Sequence, residues 1–225
     1  MKKVLLSAVA VFAFGFANAQ SNEKGTMHVN VIGGFLSGNY TIQGDEAGSI
    51  KEKATATGAQ FGANFQYGIA ESFSAGIGLE LGTTVLAYKS FDAENYGYTN
   101  PSLSTFKVNL SGRYYFLNED KFNIFAGPSI GYTTGKDKTA VLGIEIGDSN
   151  KTKYSGLNYG VNVGGNYYFS DHVGVILNLG YEGNNLKSTE TDTYTDFDGT
   201  IVTDTYPGKA TLGGVKVMAG LALKF

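Results

Sequence analysis

The chain has 225 residues, with 17 Lys and Arg against 20 Asp and Glu and no cysteine. This acidic balance argues against nucleic acid as a partner, because binding to phosphates needs a basic face. The absence of cysteine excludes disulfides and a cysteine-linked lipid anchor. With 15 Tyr and 15 Phe, the chain is also too aromatic for a disordered protein.

Residues 1–19 have the pattern of a secretory signal peptide. Two lysines precede an apolar run from Val4 to Phe16, and Ala17–Ala19 fits a small-residue cleavage site. The run is shorter than the roughly 20 apolar residues of a transmembrane helix. We therefore expect residues 20–225 to form one mature domain. Its sequence contains no later run of about 18 apolar residues, so any crossing of a membrane falls to strands.

Eight later segments alternate apolar residues with Gly, Asn, Ser and Gln, which predicts strands with one apolar face. In "NYGVNVGGNYYF", for example, Tyr, Val and Val lie opposite Asn, Gly and Asn. Strands of about 9 to 11 residues are long enough for a tilted bilayer crossing. The segments are 27–35, 60–69, 73–85, 106–116, 122–132, 158–169, 173–182 and 214–225.

The connections between these segments alternate in length. Short connections, "AES", "LNEDK" and "SDH", join segments two and three, four and five, and six and seven. This asymmetry is typical of outer-membrane barrels, whose short turns face the periplasm. We therefore expect both termini in the periplasm, and four long polar loops outside the cell. These loops are predicted at about 37–57, 89–104, 134–155 and 183–213.

A soluble sandwich or lipocalin-like barrel would also alternate, but its exposed face would carry charge. In this chain the polar face is mostly small and uncharged, and aromatic residues collect at the segment ends, as at two membrane interfaces. The pattern predicts an all-β fold, an eight-stranded antiparallel up-and-down transmembrane β-barrel, as a monomer. The predicted belts are Phe73, Tyr114, Phe116, Phe122, Tyr167, Phe169 and Phe225 by the short turns, and Phe35, Tyr88, Tyr132, Tyr154, Tyr159 and Tyr181 by the loops.

Five charged residues fall on the predicted inner face. An eight-stranded barrel has an interior that side chains just fill, and buried charges need partners. We expect Glu80 to pair with Lys107 and Glu182 with Lys216, with Arg113 as a lower neighbour. These pairs would plug and stiffen the lumen. The alternative is a gate, in which the pairs exchange to open a path for small solutes.

The residues needed for catalysis or metal binding are scarce. Of the two histidines, His28 begins the first strand and His172 lies beside Asp171 in a short turn, and we expect both to be exposed. No serine has the context of a nucleophile. We therefore predict no enzyme activity, no cofactor and no metal site. The acids of the last loop lack the spacing of a calcium loop and are expected to be solvated: Asp192, Asp196, Asp198 and Asp204.

The strand number, the loop asymmetry and the closing "VKVMAGLALKF" resemble the eight-stranded outer membrane beta-barrel family, akin to the OmpA transmembrane domain and OmpX. The resemblance covers about Thr26 to Phe225. It implies a place in the outer membrane of a Gram-negative cell, with lipid around the barrel. It also implies that the last strand, ending in Phe225, is a sorting signal for the barrel assembly machinery. The glycine-rich style and "ANAQ" resemble Bacteroidetes members.

Two functions follow from these patterns. The first is a non-enzymatic structural, adhesive or ligand-binding protein that acts through the four loops, which are rich in Thr, Asp, Tyr and Lys. The second is a narrow porin-like channel or carrier for small solutes. An extracellular protein and a small solute are therefore the candidate partners. The sequence ends at Phe225 without a peptidoglycan-binding domain, so we do not expect cell-wall anchoring.

The first prediction concerns solubility. If the apolar faces meet acyl chains, the mature polypeptide will aggregate in plain buffer and fold only in detergent or lipid, since the exposed band has no other cover. Size-exclusion chromatography with and without detergent measures this. A folded monomer in detergent-free buffer would contradict the membrane barrel.

Overall fold

The computed structural model describes residues 21–45, 51–88, 101–138, 140–141, 144–145 and 152–225. The predicted signal peptide lies outside the described residues, as do most of the second predicted loop and part of the third. The strands are β1 Met27–Gly44, β2 Lys51–Ala70, β3 Phe73–Tyr88, β4 Ser102–Asn118, β5 Phe122–Lys138, β6 Ala140–Val141, β7 Ile144–Glu145, β8 Lys153–Tyr168, β9 Val173–Thr195 and β10 Ile201–Lys224.

Eight of these strands form a closed barrel in the order β1-β10-β9-β8-β5-β4-β3-β2. Every pair in the ring is antiparallel, and β1 closes the ring on β10 through a ladder from His28–Lys224 to Gly44–Gly208. The short hairpin of β6 and β7 stands apart from the ring. The eight-stranded antiparallel barrel predicted from the sequence is confirmed. No helix in the described ranges is long and apolar enough to span a bilayer.

The outer surface of the barrel carries an apolar band. Val217 and Leu221 on β10, and Leu177 and Leu179 on β9, are about half exposed on this surface. Further along the same outer faces the residues become polar, as at Lys187 on β9. A soluble protein would not leave such a continuous apolar surface exposed. The band therefore lies in the hydrocarbon of the membrane, and the polar continuation lies in water.

The strands extend well beyond this band, so the predicted limits of the loops were wrong. The predicted loop 37–57 is strand up to Gly44 and again from Lys51, and the predicted loop 183–213 is strand except at 196–200. The third predicted loop, 134–155, loses residues to both β5 and β8. Above the membrane the outer face of a strand meets water, so the apolar residues of that face end although the ladder continues. Threonine and tyrosine are frequent there, and both residues favour strands.

The predicted aromatic belts are largely on the outer surface, with two exceptions. Phe35, Tyr132, Tyr159 and Tyr181 are all about half exposed or more. Tyr154, by contrast, is 5% exposed and lies in the interior, where its hydroxyl is 3.1 Å from that of Tyr40. Tyr88 is only partly buried and packs against the same interior cluster. These two exceptions occur because the alternation places them on the inner face, above the membrane level.

The interior holds two apolar clusters as well as the expected polar residues. The first lies toward the long hairpins, and the second lies toward the short turns. Both consist of buried, inward-facing residues. The first comprises Leu36, Tyr40, Ala54, Ala56, Leu86, Leu103, Tyr154, Leu186, Ala210 and Leu212, and the second comprises Ile32, Tyr115, Phe125, Tyr168, Ile176, Met218 and Ala222.

A close approach between β1 and β10 requires glycine at position 34. A Cβ added to Gly34 would lie 1.9 Å from the carbonyl oxygen of Val217 and 2.8 Å from the Cα of Met218. A Cβ on the neighbouring Gly33 meets nothing nearer than 3.6 Å, at the ring of Phe61. The contact between β1 and β10, which we call the closing seam, therefore has room for a side chain at position 33 but not at position 34.

We predict that Gly34→Ala destabilises the barrel by about 1 to 3 kcal/mol, because the backbone of β10 must move to admit the methyl group. Gly33→Ala is the matched control, and we expect it to change stability by less than about 0.5 kcal/mol. Guanidinium unfolding in detergent micelles measures both variants. Equal midpoints for the two variants would show that the seam is not close-packed.

Candidate functional site

Four charged side chains meet in the middle of the lumen. Glu80 and Lys107 face each other on the paired strands β3 and β4, with Lys107 Nζ 3.0 Å from Glu80 Oε1. Glu182 on β9 and Lys216 on β10 are likewise bonded, at 2.8 Å. The structure thus brings together both of the acid–base combinations expected from the sequence. We call Glu80, Lys107, Glu182 and Lys216 the ion-pair ring.

The ring also crosses the lumen, which the sequence did not reveal. Lys107 contacts Glu182 on the opposite wall, and Lys216 lies 2.8 Å from Glu80. Each lysine therefore holds both carboxylates, and each carboxylate holds both lysines. Gln60 accepts a further hydrogen bond from Lys107, at 3.1 Å, and Asn184 donates one to Glu182, at 3.0 Å. Four strands are thereby tied together at one level.

This arrangement satisfies the requirements for burying charge. Lys107 is fully buried, and the side chains of both glutamates are 7% exposed. A buried ion needs an opposite charge and hydrogen bonds, since otherwise its desolvation is not compensated. The ring supplies both for all four groups. It can therefore act as a rigid brace across the barrel, whereas loss of any one member leaves a buried charge with incomplete pairing.

Arg113 is separate from the ring. It lies lower on β4, opposite Ser74, and one of its terminal nitrogens donates to Asn64 Oδ1 at 3.1 Å. Its guanidinium carbon is 4.2 Å from the centre of the Phe125 ring. The residue is 5% exposed, and no carboxylate among the described residues pairs with it.

A cavity of about 100 Å³ separates Arg113 from the ion-pair ring. Its wall includes Glu80, Glu182 and Lys216 from the ring, and Arg113. The rest of the polar lining consists of amides and hydroxyls: Asn64, Asn109, Ser111, Ser129, Asn162 and Asn178. Apolar side chains, among them Ile32 and Met218 of the second cluster, complete the wall.

His28 lies inside the barrel, so the expectation that it is exposed was wrong. The imidazole of His28 is fully buried, with Nδ1 2.9 Å from the Tyr168 hydroxyl and Nε2 3.3 Å from Asn22 Oδ1. Asn22 Oδ1 can only accept, so the histidine donates from Nε2 and accepts from Tyr168. Burial with two satisfied nitrogens gives this histidine a structural role.

The segment before β1 covers the short-turn end of the barrel. Ser21 and Asn22 are fully buried, and the Asn22 side chain donates to the carbonyl oxygens of Ala70 and Glu71, both at 2.9 Å. Ser21 donates to Asn118 Oδ1 at 2.6 Å. We call Ser21 and Asn22 the cap. The sequence did not predict the cap, because the segment has no periodic pattern. The one available signal was its position directly before the first strand.

The other candidate residues lie around this same end. His172 is partly buried and its Nδ1 donates to the carbonyl oxygen of Lys224 at 3.1 Å, while its ring stacks on Phe225. Phe225 exchanges backbone hydrogen bonds with Met27, both at 2.9 Å. Within the described ranges, no group of three or more His, Cys, Asp or Glu side chains could hold a metal ion.

Comparisons with known proteins agree with this architecture. A family model described as "Outer membrane protein beta-barrel domain" matches residues 18–220. The crystal structure of the outer membrane protein OprG from Pseudomonas aeruginosa is similar at a TM-score of 0.65 and 14% identity, over 91% of this chain and 97% of that one. The solid-state NMR structure of the outer membrane protein AlkL reaches 0.50 at 12% identity, over 94% and 95%. No curated protein matches the chain in sequence.

We predict that Lys107→Met destabilises the barrel by about 3 to 5 kcal/mol, because both glutamates of the ring lose a partner in a site without bulk water. Lys209→Met is the matched control. Lys209 also forms a salt bridge, 2.7 Å from Asp45, but its side chain is 73% exposed, so its loss should cost at most about 1 kcal/mol. Chemical unfolding in micelles compares the two. A similar loss of unfolding free energy in the two variants would show that the ion-pair ring does not brace the barrel.

Proposed function

Because the chain belongs to the outer membrane beta-barrel family and sits in the lipid of that membrane, we propose that it is a non-enzymatic binding protein that presents its longest hairpin outside the cell. The short turns, the cap, the start of β1 and the end of β10 then face the periplasm. The partner is an extracellular protein. Three features support this proposal: a filled lumen, a projecting hairpin and exposed apolar side chains at the tip of that hairpin.

The filling of the lumen argues for a role at the surface instead of transport. The cap closes one end, the ion-pair ring crosses the middle, and Leu36, Leu103 and Leu212 fill the level above it. These three leucines are fully buried or nearly so. A solute would have to displace apolar packing and separate buried charges to pass.

The projecting hairpin is the observation that carries the proposal. The ladder from β10 to β1 ends at the Gly44–Gly208 pair, and the ladder from β8 to β9 ends at Lys153–Thr189. Strands β9 and β10 continue to pair with each other up to Thr195–Ile201. The last third of the hairpin therefore rises above the two strands that flank it. Strands β1 and β8 do not pair with this part of the hairpin.

The tip of the hairpin is a hydrogen-bonded turn that exposes large apolar side chains. The Asp196 N–H donates to the carbonyl oxygen of Thr200 at 2.8 Å, and the Gly199 N–H donates to that of Asp196 at 2.9 Å. Gly199 has a φ of 85°, which favours glycine. The Thr200 backbone N–H donates to Asp198 and keeps the pKa of that carboxyl below its usual range. Phe197 is fully exposed, and Ile201 is 71% exposed.

Exposed residues of this kind suit protein recognition. Large apolar side chains outside the membrane are costly unless a partner covers them, and aromatic anchors dominate the energy of many interfaces. The hairpin therefore offers an aromatic anchor, Phe197, at its tip.

The exposed hairpin lacks a histidine that could act as a catalytic base. Of the histidines, one is buried in the barrel and the other is bonded to a backbone carbonyl at the short-turn end. Neither lies near the exposed hairpin. A histidine-based acyl transfer or hydrolysis at the outer surface would therefore lack its base.

We predict that the double substitution Phe197→Ser with Ile201→Ser lowers partner binding at least tenfold without changing the stability of the barrel. Nanodisc-embedded protein is screened against an array of purified extracellular matrix and serum proteins, and each hit is measured by surface plasmon resonance. The control is Thr193→Ala with Thr203→Ala, a cross-strand pair on the same hairpin whose hydroxyls are 3.4 Å apart. A hit that the tip variant binds as tightly as the wild type does would argue against this surface.

A gated channel is the second candidate, and the double pairing within the ion-pair ring is the observation that supports it. Since every carboxylate holds two lysines, one contact can break while the other remains. The polar cavity beneath the ring would then be the first part of a solute path.

Under the gate hypothesis, Glu80→Ala removes two of the four ring contacts and should produce single-channel steps in planar bilayers where the wild type is silent. Asp45→Asn, which breaks only the exposed pair with Lys209, is the control and should also be silent. Unchanged conductance in Glu80→Ala would eliminate the gate and leave the ring as a brace.

A further inference from the structure

The ion-pair ring and Arg113 together carry an unbalanced charge. The ion-pair ring contains two acids and two bases and is neutral as a unit. Arg113 adds one positive charge across the cavity from the ring. An arginine side chain does not lose its proton in a protein. These five side chains therefore carry one net positive charge, while the wall of the cavity itself contains two carboxylates, Glu80 and Glu182, and two cations, Lys216 and Arg113.

The contacts of Arg113 do not compensate this charge. Among the described residues, Arg113 donates a side-chain hydrogen bond to a neutral amide oxygen, that of Asn64, and the face of its guanidinium rests on Phe125. The other terminal nitrogen, Nη1, has no hydrogen-bond partner among the described residues although it is buried. An unpaired guanidinium in a site shielded from bulk water is costly.

The carboxylates of the ring are not available to Arg113. Glu80 contacts Lys107 through Oε1 and Lys216 through Oε2. Glu182 is bonded in the same manner, and its Oε1 also accepts from Asn184. If either acid turned toward Arg113, a buried lysine would lose a partner. The counter-charge of Arg113 must therefore come from outside the chain.

The cavity has the size and the lining to hold that counter-charge. A water needs roughly 10 to 15 Å³ of such space, so about 100 Å³ admits a small anion with a few waters. The amides of Asn109 and Asn178 border the cavity, and the oxygen of each has no partner among the described residues. An amide that rotates about its last bond presents its N–H₂ group instead and can donate to an anion.

We propose that the cavity is a binding site for one small monovalent anion, a halide or a carboxylate of the size of formate, with Arg113 as its principal ligand. Arg113 Nη1 donates to the anion from below, and the partly exposed ammonium of Lys216 faces it from the ring. One negative charge makes the buried cluster neutral, whereas a divalent anion would reverse its charge. The site is independent of whether the barrel binds a protein or conducts.

Bromide is the probe for the first experiment. Crystals of the wild-type barrel grown in sodium bromide should give one anomalous peak in the cavity, in contact with the Arg113 guanidinium. Arg113→Gln keeps a donor for Asn64 but removes the charge, and its crystals should lack the peak. Lys209→Met removes a cation at an exposed site and should retain it. An empty or water-filled cavity in the wild type, or the same peak in Arg113→Gln, would overturn the proposal.

A second measurement covers the case in which a variant does not crystallise. The thermal unfolding midpoint of the wild type in detergent should rise with bromide concentration when compared with gluconate at equal ionic strength, because an anion that binds only the folded barrel stabilises it. Gluconate is too large for the cavity. The midpoint of Arg113→Gln should be equal in the two salts. Equal midpoints for the wild type, or an equal rise in the variant, would refute an anion site at Arg113.

Discussion

The pairing of backbone hydrogen bonds in hydrocarbon is the constraint on which the rest of this structure depends. A strand in lipid cannot satisfy its N–H and C=O groups with water, so the sheet must close on itself. In this chain β1 meets β10, and every strand of the ring has two partners. Closure with eight strands fixes the width of the interior, and that width determines what the inner face can contain.

The lumen is filled by layers of side chains that differ in polarity. Apolar side chains fill the levels on both sides of the ion-pair ring, and the cap seals the short-turn end. The glycines let strands approach where larger residues would collide, as at Gly34. Charge is placed only where it can be shared by several groups. Arg113 is the exception to this rule, and it borders the cavity beneath the ion-pair ring.

The barrel is exposed to both lipid and water, and each strand therefore has a different composition in the two environments. In lipid, the outer face must be apolar and the inner face must be packed. Above the membrane the outer face can be polar, so β9 and β10 continue as a threonine-rich hairpin. The part of the barrel that lies in lipid anchors the protein.

The sequence by itself determined the strand number, the antiparallel order and which residues face lipid, because alternation with a period of two is a local property of the chain. It also placed Glu80 near Lys107 and Glu182 near Lys216, since each of these combinations lies on neighbouring strands. The sequence predicted that the strands end near the membrane surface, whereas they continue beyond it. Polar strands and polar loops have similar compositions, so the pattern did not separate them.

Only the tertiary structure decided which residues meet across the lumen. Lys107 and Glu182 are 75 residues apart and lie on opposite walls, and their contact depends on the order of the ring and on the stagger of every ladder between them. The same applies to the burial of His28 and Tyr154, to the cap, and to the isolation of Arg113. A periodic pattern states which way a side chain points, but the distance to the opposite wall is set by how all eight strands close together.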